Sequence, residues 1–484
     1  MRKQFSRVMA IALSMLFLAG CGIRGYDVPE NQPLVLSRPD VSRIVETQTD
    51  NEELIRIMNQ NIKYLLNTWW NAEKPESLMN QYPTEIASFS NEKKSLIRKS
   101  QKSFANWQKN NQLYLAINTN RTFTENSIRP LSHVCAIVST ALAGKYYDES
   151  VVGISEDDAK AMTIKLITAA ADAYKKDRWG RTWQSALWAE NIGYAAWLMW
   201  DDFPEEDQRE ISFMVLTEAD NVLNMEIPFY RDSEGNELCI GDTKGEEIAW
   251  NTKILALAIC MFPNHENVTR WETKLIEMLV AATSTPEDVH STEKIDGISL
   301  MEYLGGSNIN SDGTVINHGL CHIDYMTTIV EEITETRILF ELAGRSQLES
   351  SLHNIDLIYN ALVNADLGTY DESKQGTFFY QRDDAGNVTT NTDMPGVNDW
   401  GGYWYANYYL TDVYVGLFGL DEGIEEKYKA CYWRDGHLQV VSNMVNRNEE
   451  GNFFLPEENI FTSGEMFQMN NLVRAYMLEK LFSE

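Results

Sequence analysis

The chain has 484 residues, 44% hydrophobic and 23% charged, which is the composition of a globular protein long enough for one large domain or two ordinary ones. Acidic residues outnumber basic ones 71 to 41, a formal charge of −30, and that field opposes DNA, RNA and anionic lipid as partners. No Walker loop, dinucleotide glycine fingerprint, Gly-x-Ser-x-Gly elbow or zincin motif occurs, which removes several large enzyme classes.

The N-terminus reads as an export signal. Arg2, Lys3 and Arg7 form a basic start, and Val8 to Ala19 is an apolar run interrupted only by Ser14. The run is shorter than the ~18 apolar residues of a permanent transmembrane helix. Leu18-Ala19-Gly20-Cys21 resembles the bacterial lipobox, in which small residues admit a peptidase and the cysteine takes lipid. Residues 1–20 are therefore expected to be a lipoprotein signal peptide. Cys21 is the expected lipidation site, anchoring the chain at the extracytoplasmic face of the cell membrane. Residues 21–50, with Pro29, Pro33 and Pro39 among polar residues, read as a tether.

From residue 51 onward the dominant period is helical, beginning with Leu54, Ile55, Met58, Ile62, Leu65, Leu66 and Trp69. Similar stripes cover 129–146, 156–176, 183–200, 204–225, 244–262, 267–284, 320–344, 348–366, 400–420 and 464–482. Breaks such as Asp201-Asp202-Phe203-Pro204 and Phe262-Pro263-Asn264 separate them. Segments 225–240, 376–392 and 435–456 are expected to form small hairpins, with turns at Glu234-Gly235-Asn236 and Asp384-Ala385-Gly386-Asn387. The fold class is mainly all-α: 51–484 as one α/α toroid of about six helical hairpins with a few short β-hairpins. An α-solenoid would show a repeat of fixed length, and none is found. Thr285 to Asn317 is the longest stretch without clear helix, and a loop of that size on a helical scaffold is usually functional. Beyond Cys21, five cysteines remain with no CxxC pair, which argues against a disulfide framework or a zinc–cysteine site.

Four constellations can carry chemistry. The helix over 183–200 presents Trp188, Glu190 and Asn191, and an asparagine on its apolar face must be hydrogen-bonded or meet a wet cavity. Asp242 to Asn251 opens the next inner stripe. There Thr243 and Glu246 fit a capping box, while Glu247 and Asn251 stand one turn apart at a polar mouth. The run Asp312-Gly313-Thr314-Val315-Ile316-Asn317-His318 ends the long loop. His318, His322 and Tyr325 then share one face of the predicted helix, with Asn317 as its cap. Histidine exchanges protons near neutral pH, and a nearby tyrosine can partner it. A metal site of His318, His322 and Asp324 is the minor alternative. Finally, Asp399, Trp400, Trp404 and Asn407 lie in a run of aromatic and polar residues suited to stacking on sugar rings or to packing a core.

The aromatic helix with Asn191, and the run from Asp312 to His318 followed by Tyr325, resemble the α/α-toroid polysaccharide lyases. These are the hyaluronate/chondroitin AC lyases and the heparinase II/III-like group. The resemblance covers the toroid only. It implies β-elimination on a uronic polysaccharide without a cofactor. Asn191 would neutralise the uronate carboxylate, His318 or Tyr325 would take the C5 proton, and Tyr325 would protonate the leaving oxygen. The arginine used beside the tyrosine in those families has no counterpart near Tyr325 in the sequence. Two further readings stay open. One is an α/α-toroid glycoside hydrolase whose acid and base come from Glu247, Asp312, Asp324 or Asp399. The other is a non-catalytic glycan-binding lipoprotein using the same aromatics. In each reading the partner is a polysaccharide or oligosaccharide, and the membrane is met through the lipid alone.

Overall fold

A computed structural model describes residues 36–46, 51–70, 125–177, 179, 183–389, 404–455 and 464–483. Cys21, Asp399 and Trp400 lie outside the described residues. The described chain is mainly helical, and its strands are three two-stranded antiparallel pairs of two residues each.

The helices are α1 (Ser42–Glu46), α2 (Glu52–Tyr64), α3 (Glu125–Ala143), α4 (Glu156–Lys175), α5 (Ser185–Leu198), α6 (Glu205–Leu223), α7 (Gly245–Met261), α8 (Val268–Ala282), α9 (Ile323–Leu342), α10 (Ile355–Asn364), α11 (Tyr405–Leu417), α12 (Ala430–Asn446) and α13 (Gly464–Phe482). Two short helical turns, Glu149–Val152 and Leu300–Tyr303, complete the α-helical elements. Most sequence stripes thus match helices to within a few residues; the stripe over 348–366 holds a short turn at Glu349–Leu352 and an α-helix that begins only at Ile355.

The odd-numbered helices from α3 onward are buried almost all round. In α5 every residue from Ser185 to Trp197 is buried, and in α7 all but Glu247 are. A helix apolar all round must be covered on every side. Accordingly α3 packs on α5, α5 on α7, α7 on α9, α9 on α11, α11 on α13, and α13 back on α3. The even-numbered helices lie outside these. Helix α8 is typical: Trp271, Leu275, Leu279 and Ala282 face inward, while Glu272 and Lys274 face out. Local signals fix the ends: Asn51 accepts from the Leu54 N–H, and Ser155 accepts from the Asp158 N–H ahead of three acidic residues.

The far ends of the buried helices are tied together by residues 37–43. Ser37 N–H donates to the Met261 carbonyl at 2.9 Å, Asp40 N–H donates to the Leu342 carbonyl at 2.7 Å, and Trp197 Nε1 donates to the Ser37 carbonyl at 2.6 Å. The Arg43 guanidinium pairs with Glu341. Helix-terminal carbonyls with no partner in their own helix are thereby satisfied.

Three local expectations are corrected. Segment 435–456 is not a hairpin: its first half belongs to α12, where Trp433, His437, Val441 and Val445 recur at four-residue steps and are buried. Thr243 and Glu246 do not form a capping box, because α7 begins at Gly245 with Lys244 at its cap. Thr243 Oγ1 instead donates to the Asn308 carbonyl and accepts from the Gly245 N–H. The helix expected to carry His318 begins only at Ile323. Asn317 and Leu320 pair as neighbouring strands β5 (Ile316–Asn317) and β6 (Leu320–Cys321), with His318 and Gly319 between them at φ +51° and +76°. Positive φ at both loop positions is the geometry of a tight two-residue hairpin. The other two expected turns are present: isolated bridges join Arg231 to Glu237 and Arg382 to Val388 across Gly235 and Gly386.

Candidate active site

The buried helices α3, α5, α7, α9, α11 and α13 converge by their N-terminal ends on one cavity of about 250 Å³. Helix α3 supplies Arg129 and His133. Trp183 and Gln184 precede α5, and Leu187 lies within it. Helix α7 supplies Glu246 and Trp250, and α9 supplies Asp324, Tyr325, Thr328 and Glu332. Trp404 precedes α11, and Phe467 lies in the first turn of α13. N-terminal ends carry partial positive charge, so their convergence favours an anion in a chain that is acidic overall.

The walls are aromatic. Trp183 and Trp250 meet edge to face with centroids 4.8 Å apart, and Trp404 and Phe467 lie 5.2 Å apart. Trp183 is 53% exposed while Trp250 and Trp404 are buried, so the walls run from rim to interior. Such faces suit the apolar C–H faces of sugars, provided polar groups stand ready for the hydroxyls.

Those polar groups are unevenly charged. Arg129 is half-buried and its guanidinium donates to the Gln184 side-chain oxygen, which aims both side chains. Burial holds His133 well below the usual imidazole range, and the charges of Arg474, Lys253 and Arg129 add to that, so it lines the cavity as a neutral ring. Burial, with the Glu247 carboxylate second, pushes Glu246 well above the ordinary carboxylate range. Burial thus favours the protonated form of Glu246. Its Oε1 accepts from Asn317 Nδ2 at 3.3 Å, and its Oε2 has no partner among the described residues. Asp324 is buried and accepts from the Tyr408 hydroxyl at 3.3 Å.

Under the cavity lies an ionic cluster. Glu332 is 2.9 Å from Lys253 Nζ and 3.4 Å from Arg474; Lys253 also reaches Glu190 at 3.2 Å, and Arg474 reaches Glu331 and Glu335 at 2.8 and 2.7 Å. All of these side chains are nearly or fully buried. Burial pushes Glu190 up to about 7 against the pull of Lys253.

At the rim, Tyr325 Oη lies 3.3 Å from His318 Nε2. The His318 ring is exposed, Tyr325 is half-buried, and the buried His322 ring stands edge-on to both, at 6.1 and 4.7 Å between centroids. The hairpin, not a shared helix face, brings His318 to Tyr325. Among the described residues no group of three His, Cys, Asp or Glu side chains is placed to hold a metal ion.

No family model, curated protein or solved structure matches this chain. The structure brings Tyr325, His318, Asp324 and Trp404 together with Arg129 and Glu246. It does not bring Asn191 to this cavity. Asn191 lies one turn below Leu187, with Ser132 Oγ 3.4 Å from its Nδ2, beside Glu335 and Arg474. Trp188 is fully buried in the core, and Glu190 belongs to the ionic cluster. Glu247 pairs with Lys244 at 3.3 Å, and Asn251 donates to the Glu247 carbonyl at 2.7 Å; neither lines the cavity. Asn317 supports Glu246, and His322 packs behind the His318–Tyr325 pair. Asp312 accepts from Thr314 and Tyr370 in the loop before the hairpin, away from the cavity lining. Asn407 is buried, donating to Glu331 at 3.0 Å and accepting from Gln468 and Asn471.

Sequence reasoning missed Arg129 and Glu246. Arg129 stands nearly two hundred positions before Tyr325, so no local spacing links them. Glu246 was assigned to a cap. The usable signal was its place beside Glu247 at the start of an otherwise apolar helix, where one of two adjacent carboxyls must turn inward.

Proposed function

We propose that the chain is an α/α toroid that cleaves a uronate-bearing polysaccharide by β-elimination, held by lipid on Cys21 at the extracytoplasmic face of the cell membrane. The observation that carries the reading is that Tyr325, hydrogen-bonded to His318, lines the same aromatic-walled cavity as Arg129. The order of helix contacts, from α3 round to α13 and back to α3, supports the toroid.

In this reading Arg129, helped by Gln184 and the converging helix ends, pairs with the substrate carboxylate. That makes the proton on the adjacent C5 more acidic. His318 takes this proton. The C5–H electrons form the C4=C5 double bond as the C4–O4 bond breaks, and Tyr325 gives its hydroxyl proton to O4. The proton on His318 then returns to Tyr325 across their 3.3 Å contact, restoring both groups. No cofactor is needed. Incubation with hyaluronan, alginate, heparin and polygalacturonate is expected to raise the ultraviolet absorbance of an unsaturated uronate with at least one of them. A flat trace with all four, alongside reducing ends released from neutral glycans, would overturn it.

A second reading rests on a specific observation: two carboxyls, Glu246 and Asp324, line the cavity, and burial raises Glu246 well above the ordinary carboxylate range. In hydrolysis Glu246 would be the acid and Asp324 the base.

The anchor fits the same picture. Residues 37–43 lie at the end of the buried helices opposite the cavity. Cys21→Ser is expected to move the protein from the membrane fraction to the soluble one. Unchanged membrane retention would remove Cys21 as the anchor.

A further inference from the structure

The cavity is of single-ring size. Sites for drug-sized ligands run to about 300–1,000 Å³, and this one holds about 250 Å³. Exposure falls from 53% at Trp183, on the rim, to 1% at His133 and Glu332, on the floor.

Below that floor there is no passage for a polymer among the described residues. Glu332 is tied to Lys253 and Arg474 at 2.9 and 3.4 Å, and Lys253 to Glu190 at 3.2 Å. A space deeper among the buried helices, beside Asn191 and Arg474, is about 10 Å³, near the volume of one water site. At the far end, residues 37–40 cross the last turns of α7 and α9. Among the described residues the space is therefore blind. The proton-handling pair stands at its mouth: His318 is exposed and Tyr325 is half-buried.

A residue inside a polymer has chain on both sides and needs two ways out of its subsite. A ring seated in a blind pocket has one. We infer that the protein acts at chain ends: the pocket takes one terminal sugar ring, the bond to the next ring lies at the rim beside Tyr325, and each cleavage frees a single residue. The inference rests on the proposed elimination and adds the mode of attack. It also assigns the ionic cluster a job. Glu190, Lys253, Glu332 and Arg474 seal the floor and set the depth at one ring.

The test uses the full chain with hyaluronan, alginate, heparin and polygalacturonate, and with short oligosaccharides of each. Viscosity and product masses are followed from the first minutes. With alginate and polygalacturonate, in which every residue is a uronate, single-residue products from the earliest samples, with viscosity nearly unchanged, are expected. A prompt fall in viscosity with a ladder of long unsaturated oligomers overturns end recognition and leaves the elimination standing. If neither polymers nor oligomers lose mass to products, the reaction itself fails and this inference with it.

Discussion

Tyr325 Oη and His318 Nε2 stand 3.3 Å apart at the rim, Tyr325 half-buried against the core and His318 exposed. Tyr325→Phe keeps the ring and deletes the proton. It is expected to lower kcat by about 100-fold or more, the ordinary worth of a placed acid–base group, with an unchanged thermal unfolding midpoint. Retained turnover would remove Tyr325 from the chemistry. Glu246 separates the two reaction classes. Burial already favours its protonated form, so Glu246→Gln keeps the shape and charge of that form. Elimination is expected to keep activity within about tenfold, whereas a general acid lost this way costs about 100-fold or more; kcat of the variant reads the difference. These residues also show what a sequence can carry. Tyr325 and His318 were legible because they sit seven positions apart in one run. Arg129 and Glu246 join them only through helices distant in sequence, and no spacing rule reaches across such a gap.

At the scale of elements, helical periodicity was a good guide because the buried helices are covered on nearly every side and the outer ones bury a single face. It failed where β-branched residues sit in a helix that tertiary packing selects, as in α12. It failed again where a two-residue turn breaks the helical reading between Asn317 and Leu320. That turn holds His318 in place. Gly319 sits at φ +76° with nothing within 4 Å of where a Cβ would stand, so a substitution there acts through backbone strain and not through collision. Its N–H donates to the Gly241 carbonyl at 2.8 Å, which clamps the turn against the loop before α7. Gly319→Ala is expected to cost about 1–2 kcal/mol, the penalty of a left-handed residue bearing a Cβ, and to lower kcat by moving His318. Denaturant unfolding and steady-state kinetics check both. A stability loss with unaltered kcat would show that the turn does not aim the histidine.

The molecule as a whole is acidic, and it buries charge at its centre. Four carboxylates, Glu190, Glu331, Glu332 and Glu335, meet two cations, Lys253 and Arg474. Burial raises Glu190 from 4.5 to about 7, so the folded chain holds a proton there that the unfolded chain releases. The stability linked to that proton is complete below about 4.5 and is lost as pH rises through about 7. Glu190→Gln, which cannot lose the proton, is expected to unfold at a temperature that declines less than the parent's over that rise. An equal decline would assign the pH dependence to other groups. This cluster was invisible as a unit in the sequence, because Glu190, Lys253, Glu332 and Arg474 come from four helices far apart along the chain. The central claim for the whole molecule is elimination, and the solvent decides it. Cleavage in water enriched in heavy oxygen, followed by mass spectrometry, is expected to give products carrying none of the label at the cut and one product lighter by a water. One labelled oxygen per bond cleaved would contradict the account and identify a hydrolase.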